Sequence, residues 1–247
     1  MRRVFIHSNK KCEKKCLYCF SKWDNYVLPQ INQDSFDDDV IAFYPTCDSD
    51  FEIDWACCEQ ILKKYNETKT IIFSFSCKGK VSDDSINDII KLNSKIRKGY
   101  VKLSVCFTTK YNMDEIEPDT ADYNYRIALL KKLKKLGLKT SVVLKPILPF
   151  VDIKEYYEII DDTSFMDCFL TGGLYVNKND DFYKKYIDKK YVCVDRMVNW
   201  CDNSMGKYVE DCKIKEINDY IKQKGCYSFD SDECLLDFLL KCNDVKG

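Results

Sequence analysis

Residues 70–109 read Thr70-Ile-Ile-Phe-Ser-Phe-Ser-Cys-Lys78-Gly-Lys-Val-Ser-Asp-Asp-Ser-Ile86-Asn-Asp-Ile-Ile-Lys-Leu-Asn-Ser-Lys-Ile96-Arg-Lys-Gly-Tyr-Val101-Lys-Leu-Ser-Val-Cys-Phe-Thr108-Thr109. Thr70–Ser76 and Val101–Thr108 are short runs rich in Val, Ile and Phe, which is strand composition. Between them Ile86, Ile89, Ile90 and Ile96 recur at helical spacing. Strand, helix, strand in this order implies a right-handed βαβ unit and a parallel sheet. Outward from this unit the pattern repeats. Val4–His7, Val40–Tyr44, Thr140–Ile147 and Met166–Leu170 are further strand candidates. Several are apolar nearly throughout, as in parallel strands buried on both faces. Helical spacing also joins Trp55, Cys58, Ile61, Leu62 and Tyr65, then Ile127, Leu130, Leu133 and Leu136 with Gly137 as a cap, and a shorter stretch over Asp152–Ile160. Six such units in 1–175 predict the α/β class and an open, partial (β/α)6 barrel, smaller than the closed eight-unit form. Residues 176–247 begin polar and lysine-rich. Two helices follow, one with Ile214, Ile217 and Ile221 before Gly225 and one with Leu235, Phe238 and Leu239. They predict a C-terminal appendage of helices and a hairpin packed on the barrel.

The bulk properties narrow the function. The chain has 247 residues, 45% hydrophobic and 32% charged, which is ordinary globular composition. No run is long and apolar enough for a membrane span, and residues 1–11 lack the apolar core of a signal peptide, so a cytoplasmic location is expected. A net charge of −1 does not announce a nucleic-acid surface. Fifteen cysteines, an odd number in a chain expected in the cytosol, argue against a disulfide framework and for metal or redox chemistry at some of them.

Cys12-Glu-Lys-Lys-Cys16-Leu-Tyr-Cys19 follows the first strand directly. Three thiolates at this spacing can wrap one iron–sulfur cluster. A [4Fe–4S] cube takes four ligands, so three from protein leave one iron open to a cofactor or substrate. A zinc site favours two CxxC pairs or added histidine, and this chain has one histidine, His7, and no second CxxC. The C-terminal cysteines Cys168, Cys193, Cys201, Cys212, Cys226, Cys234 and Cys242 form no such pair and read as buried packing.

The triplet, with Tyr18 before its last cysteine, resembles that of the radical S-adenosylmethionine (SAM) superfamily. Further segments resemble the spore photoproduct lyase family within it: Tyr44-Pro-Thr-Cys47-Asp-Ser after the second strand, Ile72–Val81 with Lys78, Phe107-Thr-Thr through Ile116-Glu117-Pro118, Arg126-Ile-Ala-Leu-Leu, Ser141–Pro146, and Asn199-Trp200 with Met205-Gly-Lys-Tyr-Val209. The resemblance implies a [4Fe–4S] cluster on Cys12, Cys16 and Cys19, SAM at the open iron, and reductive cleavage of SAM to start radical chemistry. It implies a lyase acting on a nucleobase or DNA photoproduct, with Cys47 returning the final hydrogen atom. An electron donor such as a flavodoxin or ferredoxin is the implied partner.

Lys78 reads as a partner for the SAM carboxylate or as a solvated lysine. Thr108 and Thr109 read as hydrogen-bonding partners of SAM or of nearby backbone. Glu117 reads as a substrate or cofactor acceptor or as a turn cap. Three departures count against a DNA lesion. Phe20 stands where the lyase has a tyrosine, Asp202 and Asn203 stand where it has an Arg-Tyr wedge, and the lyase's segment before the cluster has no counterpart here. They leave open a radical SAM enzyme acting on a peptide or small metabolite, and a non-catalytic metal-binding protein as a third reading.

Overall fold

The computed structural model describes residues 1–6, 12–23, 36–46, 51–197, 205–210 and 213–244. In chain order the elements are β1 (Arg2–Phe5), β2 (Val40–Tyr44), α1 (Trp55–Tyr65), β3 (Thr70–Cys77), α2 (Asp83–Lys95), β4 (Gly99–Phe107), α3 (Met113–Ile116), α4 (Tyr123–Lys135), β5 (Lys139–Leu144), α5 (Ile153–Thr163), β6 (Cys168–Thr171), β7 (Tyr175–Val176), β8 (Cys193–Met197), β9 (Met205–Val209), α6 (Lys213–Gln223), β10 (Tyr227–Phe229) and α7 (Asp232–Asp244). The main sheet has the order β1-β2-β3-β4-β5-β6-β10. Every neighbouring pair in it is parallel. β1 and β10 are not paired with each other, so the barrel is open, as expected.

The sequence signals have local causes in the structure. Ser82, Asp122 and Asp54 accept backbone N–H bonds from Ser85, Tyr125 and Cys57, so α2, α4 and α1 each begin at a side-chain cap. At the entry to β4, a Cβ on Gly99 would stand 1.8 Å from the Ile71 carbonyl oxygen, and φ there is +119°. Only glycine lets β4 lie against β3 at that point.

The two faces of the sheet differ, which corrects the expectation of strands apolar on both sides. Phe43, Phe73, Phe75, Leu103, Phe107 and Leu144 point outward into the core beneath the helices. The alternate positions point into the concave side and include Ser74, Ser76, Lys102, Ser104 and Ser141. Ser104 and Ser141 hydrogen-bond each other across β4 and β5 at 2.8 Å. Lys102 is likewise paired, with Asp232 at 3.0 Å, so these buried polar groups are satisfied.

Residues 176–247 do more than pack on the barrel. β10 adds a seventh strand beside β6, in register from Tyr227↔Cys168 to Phe229↔Leu170. α7 then crosses the concave face. Leu235, Leu236 and Leu239 share one apolar cluster with Ala42, Ile72, Tyr100 and Val143 of the strands. Each of these leucines contributes about 1.5–3 kcal/mol of burial, before the entropy of ordering the helix is subtracted. The expected hairpin is present as β8 and β9, which pair antiparallel from Cys193↔Val209 to Met197↔Met205, with β7 on the other side of β9. Its tip, with Trp200, Asp202 and Asn203, lies outside the described residues. Among the described residues no helix is long and apolar enough to cross a membrane.

Candidate active site

β1 leads into the cysteine loop. Cys16 is buried there, while Cys12 and Cys19 are half-buried, and all three are free thiols. The loop is pinned at two points: Cys19 N–H donates to the Cys16 carbonyl at 3.3 Å, and Leu17 N–H donates to the Ile116 carbonyl at the end of α3 at 3.0 Å. Burial pushes the Cys16 thiol up to about 11. Lys78 opposes that shift, while Glu117, Cys19 and Cys12 add to it. The three sulfurs therefore share one electrostatic neighbourhood at the barrel mouth. Among the described residues no three His, Cys, Asp or Glu side chains gather around a point that one metal ion would occupy. Three free thiols on one loop match the donor chemistry of an iron–sulfur cluster. An open cleft of about 360 Å³ runs past Cys16 and Cys19, with Asn177, Asn179 and Asp180 on its far side.

Behind the loop lies a buried polar group drawn from four segments. Tyr18, one residue before the last cysteine of the triplet, sends its hydroxyl inward, where it lies 3.0 Å from Thr108 Oγ1 and donates to Glu117. Lys78, one residue past β3, donates to Thr108 Oγ1 at 2.7 Å and to Glu117 Oε1 at 2.6 Å. It also donates to the Tyr18 hydroxyl, with its amine 4.5 Å from the centre of that ring. Glu117 and Thr108 are fully buried, at 1% and 0% exposure. The other oxygen of Glu117 accepts from Arg126 Nη1 at 2.8 Å. Burial works against the Glu117 charge, but Lys78 and then Arg126 outweigh it and hold the carboxyl below the usual carboxylate range. One carboxylate thus faces two cations. The spare positive charge sits on Lys78, whose side chain keeps 17% of its surface exposed toward the mouth.

The structure therefore brings Cys12, Cys16, Cys19, Lys78, Thr108 and Glu117 together. It does not bring Thr109 with them. Thr109 follows Thr108 on the opposite face, donates to Glu155 Oε1 at 2.5 Å and accepts from Asn112 N–H at 3.2 Å. Its hydroxyl ties the β4 exit to α5. Cys47 lies outside the described residues. Of the C-terminal cysteines, Cys168 and Cys226 are buried and Cys193 is half-buried. Cys234 and Cys242 are exposed, against the expectation of buried packing, because α7 turns its leucines and not its cysteines to the sheet. Cys201 and Cys212 lie outside the described residues.

Sequence reasoning missed Arg126 as a site residue. The buried stripe of α4 is Arg126, Leu129, Leu130 and Leu133, whereas Leu136, expected inside, is 45% exposed. An arginine in phase with three leucines was the available signal. Besides Glu117 it binds the Cys106 carbonyl at 2.8 Å, the Ala121 carbonyl at 2.9 Å and Thr120 Oγ1 at 2.7 Å.

The lowered pKa of Glu117 has a consequence for acid stability. A carboxyl whose folded pKa lies below its unfolded value contributes stability above the unfolded pKa and loses it as pH falls through the folded one. The urea midpoint of the metal-free protein is expected to fall across that acid range, and Glu117→Gln is expected to flatten the slope. An acid slope equal to wild type in Glu117→Gln would show that Glu117 contributes nothing to it.

No family model matches the chain, and no curated protein matches it. Solved structures do. A spore photoproduct lyase variant with a dinucleoside spore photoproduct superposes with TM-score 0.61 at 18% identity, over 88% of this chain and 73% of that one. Spore photoproduct lyase complexed with dinucleoside spore photoproduct gives TM-score 0.59 at 17% identity, over the same shares of 88% and 73%. SuiB of Streptococcus suis bound to S-adenosylmethionine gives TM-score 0.51 at 16% identity, over 93% of this chain but 47% of its own length. The chain therefore shares the partial-barrel fold of these solved structures.

Proposed function

We propose that this chain is a radical SAM enzyme of the spore photoproduct lyase type, acting on a nucleobase or DNA photoproduct. The observation that carries the reading is Tyr18, which joins the three-cysteine loop to Lys78, Thr108 and Glu117 in one buried group. Cys12, Cys16 and Cys19 would hold the cluster through their thiolates. Lys78 orients the SAM carboxylate, while Glu117 and Arg126 fix Lys78 in place and Thr108 supplies a hydroxyl beside it. Thr109 serves through the loop it ties down. When bound, the reduced [4Fe–4S] cluster supplies the electron that cleaves SAM and starts radical chemistry. Cys47 gives its thiol hydrogen atom to the product radical, which leaves the unpaired electron on the Cys47 sulfur. The electron comes from a flavodoxin or ferredoxin, and residues 176–247 complete the barrel that residues 1–175 begin.

One observation favours a peptide or small-metabolite substrate instead. Phe20, which stacks edge-on with Trp23 at 6.5 Å, has no O–H with which to pass hydrogen. The test is anaerobic reconstitution followed by product analysis on ultraviolet-irradiated dinucleotide, single strand and duplex. Turnover is expected to be highest on the dinucleotide, because duplex requires unstacking before the lesion can enter the pocket. SAM cleavage at its uncoupled background with all three would replace the DNA reading with the peptide or metabolite one.

A further inference from the structure

The concave face carries a second set of cations, which the proposed cofactor site does not use. Lys102 is 1% exposed in the middle of β4, and its amine pairs with Asp232 Oδ1 at 3.0 Å. Asp232 also accepts from the Tyr44 hydroxyl, so this carboxylate is already shared. Lys145 stands one residue past β5. Val143 packs on the inner cluster and Leu144 on the outer one, so alternation turns Lys145 inward. Leu144 is in register with Phe107 and Thr171. Lys145 therefore sits between Thr108 and Gly172, about 5 Å from each along the hydrogen-bonding direction.

Lys145 differs from its neighbours in two ways. Lys78 and Lys102 each have a carboxylate within 3.0 Å, whereas Lys145 makes no hydrogen bond or ion pair among the described residues. Lys145 is also exposed, where Lys102 is buried. Desolvation of the amine lowers its pKa despite the pull of Asp232, and the charge of Arg3 acts in the same direction. The stem is seated by design of the neighbouring strand: a Cβ on Gly172 would stand 2.8 Å from Lys145 Cδ and 2.9 Å from Cε.

We propose that Lys145 is the subsite for an anionic group of the substrate, a phosphate or a carboxylate, beside the cofactor end of the barrel. Lys78 already serves the SAM carboxylate, and Lys145 is the amine left to receive a second anion. Its place one strand over from Thr108 sets the distance between that anion and the reacting end of the substrate. The inference deepens the radical SAM reading and rests on it for the identity of the molecule that brings the anion.

The test uses the full chain, anaerobically reconstituted, with pyridoxal 5′-phosphate as an anionic amine probe trapped by borohydride and mapped by peptide mass analysis. Lys145 should be labelled at least about tenfold faster than the exposed Lys154, the factor one charge-assisted contact provides. Pyridoxal without the phosphate should lose the preference, and inorganic pyrophosphate should protect. Gly172→Ala, which keeps the charge but displaces the stem, should also lose it. Labelling of Lys145 no faster than Lys154, or unaffected by pyrophosphate, would overturn the proposal. So would protection by SAM alone together with a loss of SAM affinity of about tenfold in Lys145→Met, since the anion would then be the cofactor's own. Absence of iron and SAM binding with the labelling preference intact would sink the radical SAM reading and still support the anion subsite.

Discussion

Arg126→Met is expected to lower the stability of the metal-free protein by about 3–5 kcal/mol, the usual result of removing one partner from a buried ion pair. For a chain of 247 residues this is a fall in Tm of about 10 °C. Methionine fills much of the same space, so the loss is electrostatic rather than steric. Glu117 would keep its charge with Lys78 as its remaining cation, and the carbonyls of Cys106 and Ala121 would lose a donor in a site closed to water. Arg126→Lys should recover only part, because a single ammonium cannot reproduce the four bonds that the guanidinium makes here. Thermal unfolding of the three proteins checks this. A Tm for Arg126→Met within about 3 °C of wild type would show that the pair is not worth its burial.

The second large effect concerns the cysteine loop. Cys12→Ala, Cys16→Ala and Cys19→Ala should each abolish the broad thiolate-to-iron absorption near about 400 nm and reduce SAM cleavage to background. Iron analysis of the reconstituted proteins, with that spectrum, is the measurement. Cys226→Ala is the control. Cys226 donates to the Met166 carbonyl at 3.3 Å, remote from the loop, and its loss should leave iron content unchanged. Full iron content and normal SAM cleavage in the three loop variants would remove the cluster from this loop. Bound zinc without iron in wild type would favour the metal-binding reading in its place.

Much of the fold was legible because the strands announce themselves. Val40–Tyr44 matches β2 at both ends, and Thr70–Ser76 falls one residue short of β3. β10 was not legible. Tyr227-Ser-Phe229 is three residues long, with both aromatic rings against Phe238 on one side, and pairing with β6 makes it a strand. The polar inner face was also hidden. Val101-Lys-Leu-Ser-Val105 alternates as a half-exposed strand would, yet Lys102 and Ser104 are both 1% exposed. Their partners, Asp232 and Ser141, lie 130 and 37 residues away, and no local window contains them.

The site divides the same way. Cys12, Cys16 and Cys19 are a local motif, visible in eight residues. Glu117 was visible as a loop carboxylate, but its two cations come from β3 and α4 and only the folded chain brings them to it. Lys145 falls inside the strand candidate Thr140–Ile147 and carries no signal of its own. Its significance depends on what stands across from it, a glycine on one side and a fully engaged threonine on the other.

The strand order has a kinetic meaning. From β1 to β6 each strand pairs with the one before it in the chain, so the sheet can grow by nearest-neighbour addition with short loops to close. α7 breaks that rule. Tyr100 donates to the Leu236 carbonyl across 136 residues, and Tyr44 reaches Asp232 across 188. These are the contacts whose loop-closure entropy is largest, and they hold the helix that covers the concave face. The sheet and the helix are then separable units of opening: α7 can detach and expose Lys102 and the entry half of the barrel while the hydrogen-bonded strands stay intact.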